Sequence, residues 1–204
     1  MIGIINYGSG NIYAIANLHK RLNIPYFLSE NHEELQKADK LILPGVGAFD
    51  ETMRMLHNSG LKSLLDELVL VNKVPIMGVC VGMQIMANGS EEGKLDGFGW
   101  IKGKVKKIDE KLLLHKPYIP HMGWNEINPT RQSDLFKNID TQKGFYFLHS
   151  YYFSCENESD TLAYTNYGKQ FSSVVNLENV YGVQFHPEKS HSNGINIFKN
   201  FANL

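Results

Sequence analysis

The sequence predicts an α/β fold: a largely parallel central sheet flanked by helices, with additional antiparallel strands in the C-terminal half. Three observations predict it. Short apolar runs alternate with segments of helical period through the first half of the chain. The second half changes to strand-like runs joined by turn residues. Between them, Gly78-Val79-Cys80-Val81-Gly82 falls where a strand gives way to a helix.

Taken in order, Ile2–Asn6 reads as a buried strand closed by the turn Tyr7-Gly8-Ser9-Gly10-Asn11, and Ile12, Ile15, Leu18 and Leu22 recur on one helix face. A short strand is expected at Tyr26–Leu28, then a helix capped by Asn31 with Glu34 three residues on. Lys40–Leu43 is a third strand, ending at Pro44-Gly45-Val46-Gly47. Helical pattern follows over Phe49–Val71 with a break near Ser59-Gly60. The strand Val74–Val79 runs into Cys80, and Met83, Ile85, Met86 and Ala87 suggest the next helix. Strands are then expected at Trp100–Ile108, Trp124–Asn128, Gly144–Phe153, Thr161–Tyr167, Phe171–Leu177 and Val180–Phe185, and a closing helix around Gly194, Ile195, Phe198 and Phe201.

Composition narrows the function classes. The chain has 204 residues, 20 Lys plus Arg, 21 Asp plus Glu, a formal net charge of −1, and 43% hydrophobic residues. A core burying roughly 70% of the unfolded surface needs no staple at this size, so one domain over residues 1–204 is expected. Near-neutral charge without like-charge runs removes the electrostatic footprint of a nucleic-acid or membrane binder. Met1-Ile2-Gly3-Ile4-Ile5-Asn6 has no basic segment followed by a long apolar one, so a cytoplasmic location is expected. Two cysteines, Cys80 and Cys155, supply neither a disulfide framework nor a CxxC metal site.

Glycines two residues either side of Cys80 permit a tight strand-to-helix elbow that lifts the side chain above the sheet. The following helix N-terminus favours a thiolate and offers N–H groups to an oxyanion. A small buried cysteine in a glycine-rich turn is the plainer alternative, and the placement favours the nucleophile. Among eight histidines, His186 in Phe185-His186-Pro187-Glu188 follows a strand and has an acid two residues on, on the same side of an extended segment. Glu188 would fix the tautomer while His186 takes the thiol proton. The Gly8 and Gly45 stretches lack the last glycine of a dinucleotide fingerprint, and no HExxH, Walker loop or downstream P-C-x-x-C exists, so no metal or other cofactor is expected.

Five segments together resemble the class I glutamine amidotransferases: Pro44-Gly45-Val46-Gly47-Ala48-Phe49, Gly78 through Gln84, Pro120-His121-Met122-Gly123-Trp124-Asn125, Phe147-Leu148-His149-Ser150-Tyr151-Tyr152, and Gln184 through Ser190. The third and fourth are similar to the glutaminase subunits of imidazole glycerol phosphate synthase. The resemblance implies glutamine hydrolysis by Cys80, His186 and Glu188. The backbone N–H of Val81 and one from the Gly45-Val46 loop would form the oxyanion hole. Gly47, Gln84, Glu92, Ser150 and Tyr151 match the family's glutamine-binding residues; Glu92 suits the substrate ammonium, or is one of the solvated acids of Glu91-Glu92.

The resemblance also implies a heterodimer. The partner is a (β/α)8-barrel synthase subunit that receives the ammonia and makes imidazole glycerol phosphate and AICAR in histidine biosynthesis. Its interface would include Asn11, Pro120, His121, Met122, Trp124 as aromatic anchor, and Lys189. The chain's length, used up by one site, agrees with an acceptor on another protein. Asn6 and Val81 stand where the family usually has Asp and Leu. Similar glutaminases feed acetamidino-sugar synthesis, and His191 after Lys189-Ser190 points toward that alternative. A silent regulatory module disagrees with the intact triad, and a stand-alone γ-glutamyl hydrolase with the Pro120–Asn125 segment.

Overall fold

A computed structural model describes residues 1–113 and 119–204 of the chain. His115, one of the eight histidines, lies outside the described residues. The fully buried strand β1 (Ile2–Ile5) leads to α1 (Ile12–Arg21), whose Ile15, Ala16 and His19 face the core. Next come β2 (Tyr26–Ser29), the single turn α2 (His32–Leu35), and β3 (Lys40–Gly45). Asn31 caps α2 as expected, its side chain accepting from the Glu34 N–H at 3.2 Å. The helical segment after β3 breaks at Ser59-Gly60, giving α3 (Phe49–Asn58) and α4 (Lys62–Asp66), the latter running into a π-helical turn over Glu67–Val71.

The strand β4 (Ile76–Cys80) ends on the cysteine itself, and α5 (Val81–Gln84) lasts one turn. The remaining elements are β5 (Gly89–Ser90), β6 (Gly103–Lys107), β7 (His121–Asn125), β8 (Asn128–Pro129), β9 (Phe145–His149), β10 (Tyr151–Cys155), β11 (Thr161–Tyr167), β12 (Lys169–Leu177), β13 (Val180–Val183) and α6 (His191–Asn203). Among the described residues eleven strands form one sheet, with the path β2-β1-β3-β4-β13-β12-β10-β6-β5, and off this path β11 pairs with β12 and β8 with β11. From β2 through β13 the pairs are parallel, and from β13 to β6 they are antiparallel. The parallel part is apolar on both faces, as buried parallel strands are.

Four strand expectations are corrected. Trp100 and Ile101 lie before β6, because Trp100 stacks on Phe98 at 3.8 Å and donates its indole N–H to Asp66. The strand expected at Trp124–Asn128 begins earlier, at His121, and stops at Asn125, where it pairs with β9 rather than with the main sheet. The run Gly144–Phe153 is two strands in two sheets, broken at Ser150: β9 pairs β7, and β10 pairs β6 and β12. Val180–Phe185 is also shorter than expected, since β13 stops at Val183 and His186 N–H turns to the Tyr146 carbonyl. No helix among the described residues is long and apolar enough to cross a membrane.

Candidate active site

The C-terminal ends of β3 and β4 lie side by side, with Gly45 in register with Cys80. In an open parallel sheet this is where ligands bind. Cys80 takes φ +56° and ψ −112°, a conformation that L residues rarely adopt and that turns the chain from strand into α5. The glycines around it serve close approach of backbones. A Cβ on Gly82 would stand 1.9 Å from the Leu43 carbonyl oxygen, and one on Gly45 would stand 2.4 Å from the Gly82 nitrogen. Val81 opens α5, where N–H groups have no acceptor inside the helix.

His186 follows β13, the strand next to β4, which brings it to the cysteine across the sheet. His186 is 4% exposed and lines the same cavity as Cys80, while its Nδ1 bonds Glu188 Oε1 at 2.9 Å. Burial opposes charge on this ring. The neighbouring Cys80 and Glu188 outweigh it and push the His186 pKa up to about 10. Glu188 is buried beside the ring, and its Oε2 has no hydrogen-bond partner among the described residues. A thiol, an imidazole beside it and a carboxylate bonded to that imidazole are a set of groups able to carry out acyl transfer.

A cavity of about 300 Å³ opens over the cysteine, lined by Val46, Gly47, Cys80, Val81, Gln84, Glu92, Leu148, His149, Ser150, Tyr151, His186 and Lys189. It unites residues from five separate stretches of sequence, including every expected glutamine-binding position. Gln84 Nε2 donates to the Tyr151 carbonyl at 2.9 Å and to Gln184 Oε1 at 3.0 Å. Glu92 has one oxygen committed to the Phe49 N–H at 2.8 Å, where it caps α3, and still faces the cavity. A larger, shallow depression of about 850 Å³ along Pro129–Thr141 holds neither cysteine nor histidine. Among the described residues no group of three or more His, Cys, Asp or Glu is placed to hold a metal ion.

The expected oxyanion loop differs from the elbow. The Val46 N–H donates to Ser9 Oγ at 3.1 Å, and the Ser9 hydroxyl donates back to the Val46 carbonyl at 3.0 Å. That N–H is therefore occupied by Ser9 instead of being offered to the cavity. Gly45 remains within β3 beneath it.

Of the positions expected at an interface, Met122 is 60% and Trp124 43% exposed, on alternate residues of β7. Trp124 stacks on His191 at 5.3 Å, and its register partner Tyr146 carries the Lys189 ammonium 5.7 Å above its ring. Asn11 is exposed and makes no capping bond to α1 with its side chain, and Pro120 is half-buried. His121 departs from expectation: at 3% exposure it points inward to His149 and offers no side chain to a partner, because alternate residues of a strand face opposite ways. Sequence reasoning missed four contributors to the site: Ser9, His149, Leu148 and Gln184, whose Nε2 stands 3.8 Å from the Cys80 sulfur. Gln184 two residues before His186 was the available signal, since period two places both on one side.

Comparison with known proteins agrees with this fold. The family model "Glutamine amidotransferase class-I" matches residues 3–204. The chain is 50% identical over 204 residues to the imidazole glycerol phosphate synthase subunit HisH of Leptospira borgpetersenii, and 51% identical over 204 residues to that of Bdellovibrio bacteriovorus. Both alignments cover 100% of each chain. Among solved structures, PurLQS from Thermotoga maritima superposes with a TM-score of 0.67 at 16% identity, covering 99% of this chain and 97% of that one. The glutaminase domain of Trypanosoma brucei CTPS with bound acivicin gives 0.64 at 15%, covering 99% and 93%. With the family's model matched from end to end over this fold, the chain belongs to the class I glutamine amidotransferases.

Proposed function

We propose that the chain is the glutaminase subunit of imidazole glycerol phosphate synthase. In this reading the Cys80 sulfur attacks the side-chain carboxamide carbon of glutamine. The C–N bond of the resulting tetrahedral adduct breaks as His186 gives its proton to the nitrogen, which leaves as ammonia. Water, losing a proton to the same ring, then adds to the γ-glutamyl thioester and releases glutamate and the thiol. Glu188 holds the imidazole in the orientation both transfers need. Gln84, Glu92, Ser150 and Tyr151 bind the amino-acid end, with the Glu92 carboxylate on the ammonium. The observation that carries the reading is the strained Cys80 elbow sharing one cavity with a His186 that is hydrogen-bonded to Glu188.

The oxyanion is held by the Val81 N–H and, once released from Ser9, by the Val46 N–H. Each good donor contributes roughly 3–4 kcal/mol. Glutamine hydrolysis therefore runs slowly until the Gly45–Gly47 loop turns inward, and an occupied synthase partner drives that turn. Ammonia passes to a (β/α)8-barrel cyclase subunit docked on Asn11, the Pro120–Trp124 segment and Lys189, and is consumed there in making imidazole glycerol phosphate and AICAR. The relatives named as HisH support this route. The test is product formation by the chain mixed with a cyclase subunit and its nucleotide substrate, run with glutamine and with ammonium salt. Turnover with both is expected, and turnover with ammonium alone would overturn the assignment.

A further inference from the structure

A continuous line of hydrogen bonds runs under the cavity from strand β7 to the nucleophile, and the mechanism above uses none of its histidines. His121 and His149 are a cross-strand pair of the small β7–β9 sheet, and their rings meet at 3.0 Å, Nδ1 of His121 to Nε2 of His149. His149 Nδ1 stands 2.8 Å from the Tyr151 carbonyl. Asn125 Nδ2 lies 3.2 Å from His121 Nε2. The Asn125 amide cannot be reversed, because its Oδ1 accepts the Glu126 N–H at 2.9 Å and its Nδ2 also donates to the Asn166 carbonyl.

Every proton in this line follows from its ends. A carbonyl only accepts, so His149 carries its proton on Nδ1 and accepts at Nε2. His121 must then donate from Nδ1 and accept the Asn125 amide at Nε2. Both rings are neutral: burial, with the nearby His121 adding to it, pushes His149 down to about 3, and burial pushes His121 down to about 4. Phe147 and Tyr167 stack on His121 at 4.8 and 4.0 Å, so the ring has no room to swing. The Tyr151 carbonyl, with His149 on one lone pair, takes Gln84 Nε2 on the other. Gln84 in turn fixes the Gln184 amide, whose Nε2 faces Cys80.

We propose that His121 and His149 are positioning residues for glutamine hydrolysis: as a pair of Nδ1-protonated rings they hold the Tyr151 carbonyl, and through it the Ser150–Tyr151 wall of the cavity and the Gln84–Gln184 bridge to the nucleophile, in fixed register with β7. This rests on the reading of the cavity as a glutamine site. It also explains why β9 and β10 part at Ser150: the break leaves the Tyr151 carbonyl facing the histidine instead of a strand neighbour. Because β7 bears the exposed Met122 and Trp124 on its other face, a shift of that strand is felt at the cavity wall.

Two measurements on the full chain test this. The imidazole nitrogens, observed by long-range proton–nitrogen NMR near neutral pH, are expected to show both rings protonated on Nδ1; an Nε2–H form at either ring would overturn the proposal. In parallel, Cys80 is alkylated with a glutamine-like chloroketone and with iodoacetamide in wild type, His149→Leu and His149→Asn, and followed by intact mass. His149→Leu should slow the chloroketone about tenfold while leaving iodoacetamide labelling nearly unchanged, and His149→Asn, whose amide nitrogen can stand where Nδ1 stood, should recover most of the rate. Equal rates in all three proteins, an equal loss with both reagents, or an Asn variant no better than Leu would overturn it. Wild-type Cys80 that takes iodoacetamide and refuses the chloroketone would instead bring down the glutamine reading, with the tautomers still deciding the hydrogen-bond line.

Discussion

Two strand ends lie next to each other at the site and are built in opposite ways. At the end of β4, Cys80 is 4% exposed, held at a strained backbone angle by glycines whose neighbours leave no space for a methyl group. At the end of β3, Val46 is 46% exposed and its N–H is tied to one serine hydroxyl. In the proposed reading the nucleophile is positioned in advance by packing, whereas the oxyanion donor is restrained by hydrogen bonds, its N–H and its carbonyl both bonded to the Ser9 hydroxyl, each bond worth about 1 kcal/mol net. A site with one fixed half and one movable half can keep its thiol ready while withholding catalysis.

The largest break in that comparison is removal of the fixed half's reactive atom. Cys80→Ala should abolish glutamine-dependent turnover, a fall of about 10⁴-fold or more, while ammonium-dependent turnover by a complex with the cyclase persists. Next in size is steric. Gly82→Ala must push β3 away from α5 and should cost about 4 kcal/mol or more in urea unfolding. Gly47→Ala meets nothing closer than Glu51 Oε2 at 3.7 Å and should cost about 1–2 kcal/mol, for its φ of +95° alone. Equal costs at the two glycines would erase the distinction between the halves.

A smaller effect concerns His186. Its pKa of about 10 in the fold lies above its ordinary 6.5, so it contributes stability that is complete below about pH 6.5 and is lost as pH rises toward 10. Glu188→Gln removes one of its two supports, so the urea midpoint should fall less between about pH 6 and about pH 9 than in wild type. An unchanged slope would mean that the carboxylate does not hold the proton. The smallest effect is the most specific to the movable half. Ser9→Ala should raise basal glutamine hydrolysis about 2- to 10-fold and leave the partner-stimulated rate alone.

The fixed half was legible in the sequence and the movable half only partly. A glycine on either side of Cys80 states its own sterics locally, and His186 with Glu188 needs only the period of an extended chain. Ser9 and Val46 are 37 residues apart, and His121 and His149 are 28 apart. No local pattern tells which serine meets which loop, since register between strands decides it. The same holds for the break at Ser150, where strand-forming aromatic residues run on from Phe145 to Phe153 and only their separate partners reveal two sheets. Trp100 and Ile101 carry strand propensity, yet a ring stack and the Asp66 carboxylate hold the tryptophan outside the ladder.

In the proposed mechanism Cys80 carries the glutamyl group. Rapid quenching of the chain with glutamine, followed by intact-mass and peptide analysis, addresses it directly. A γ-glutamyl adduct on Cys80 is expected, forming as ammonia is released and decaying as glutamate appears. Glutamine hydrolysis that proceeds without the adduct, or that survives in Cys80→Ala, would contradict it.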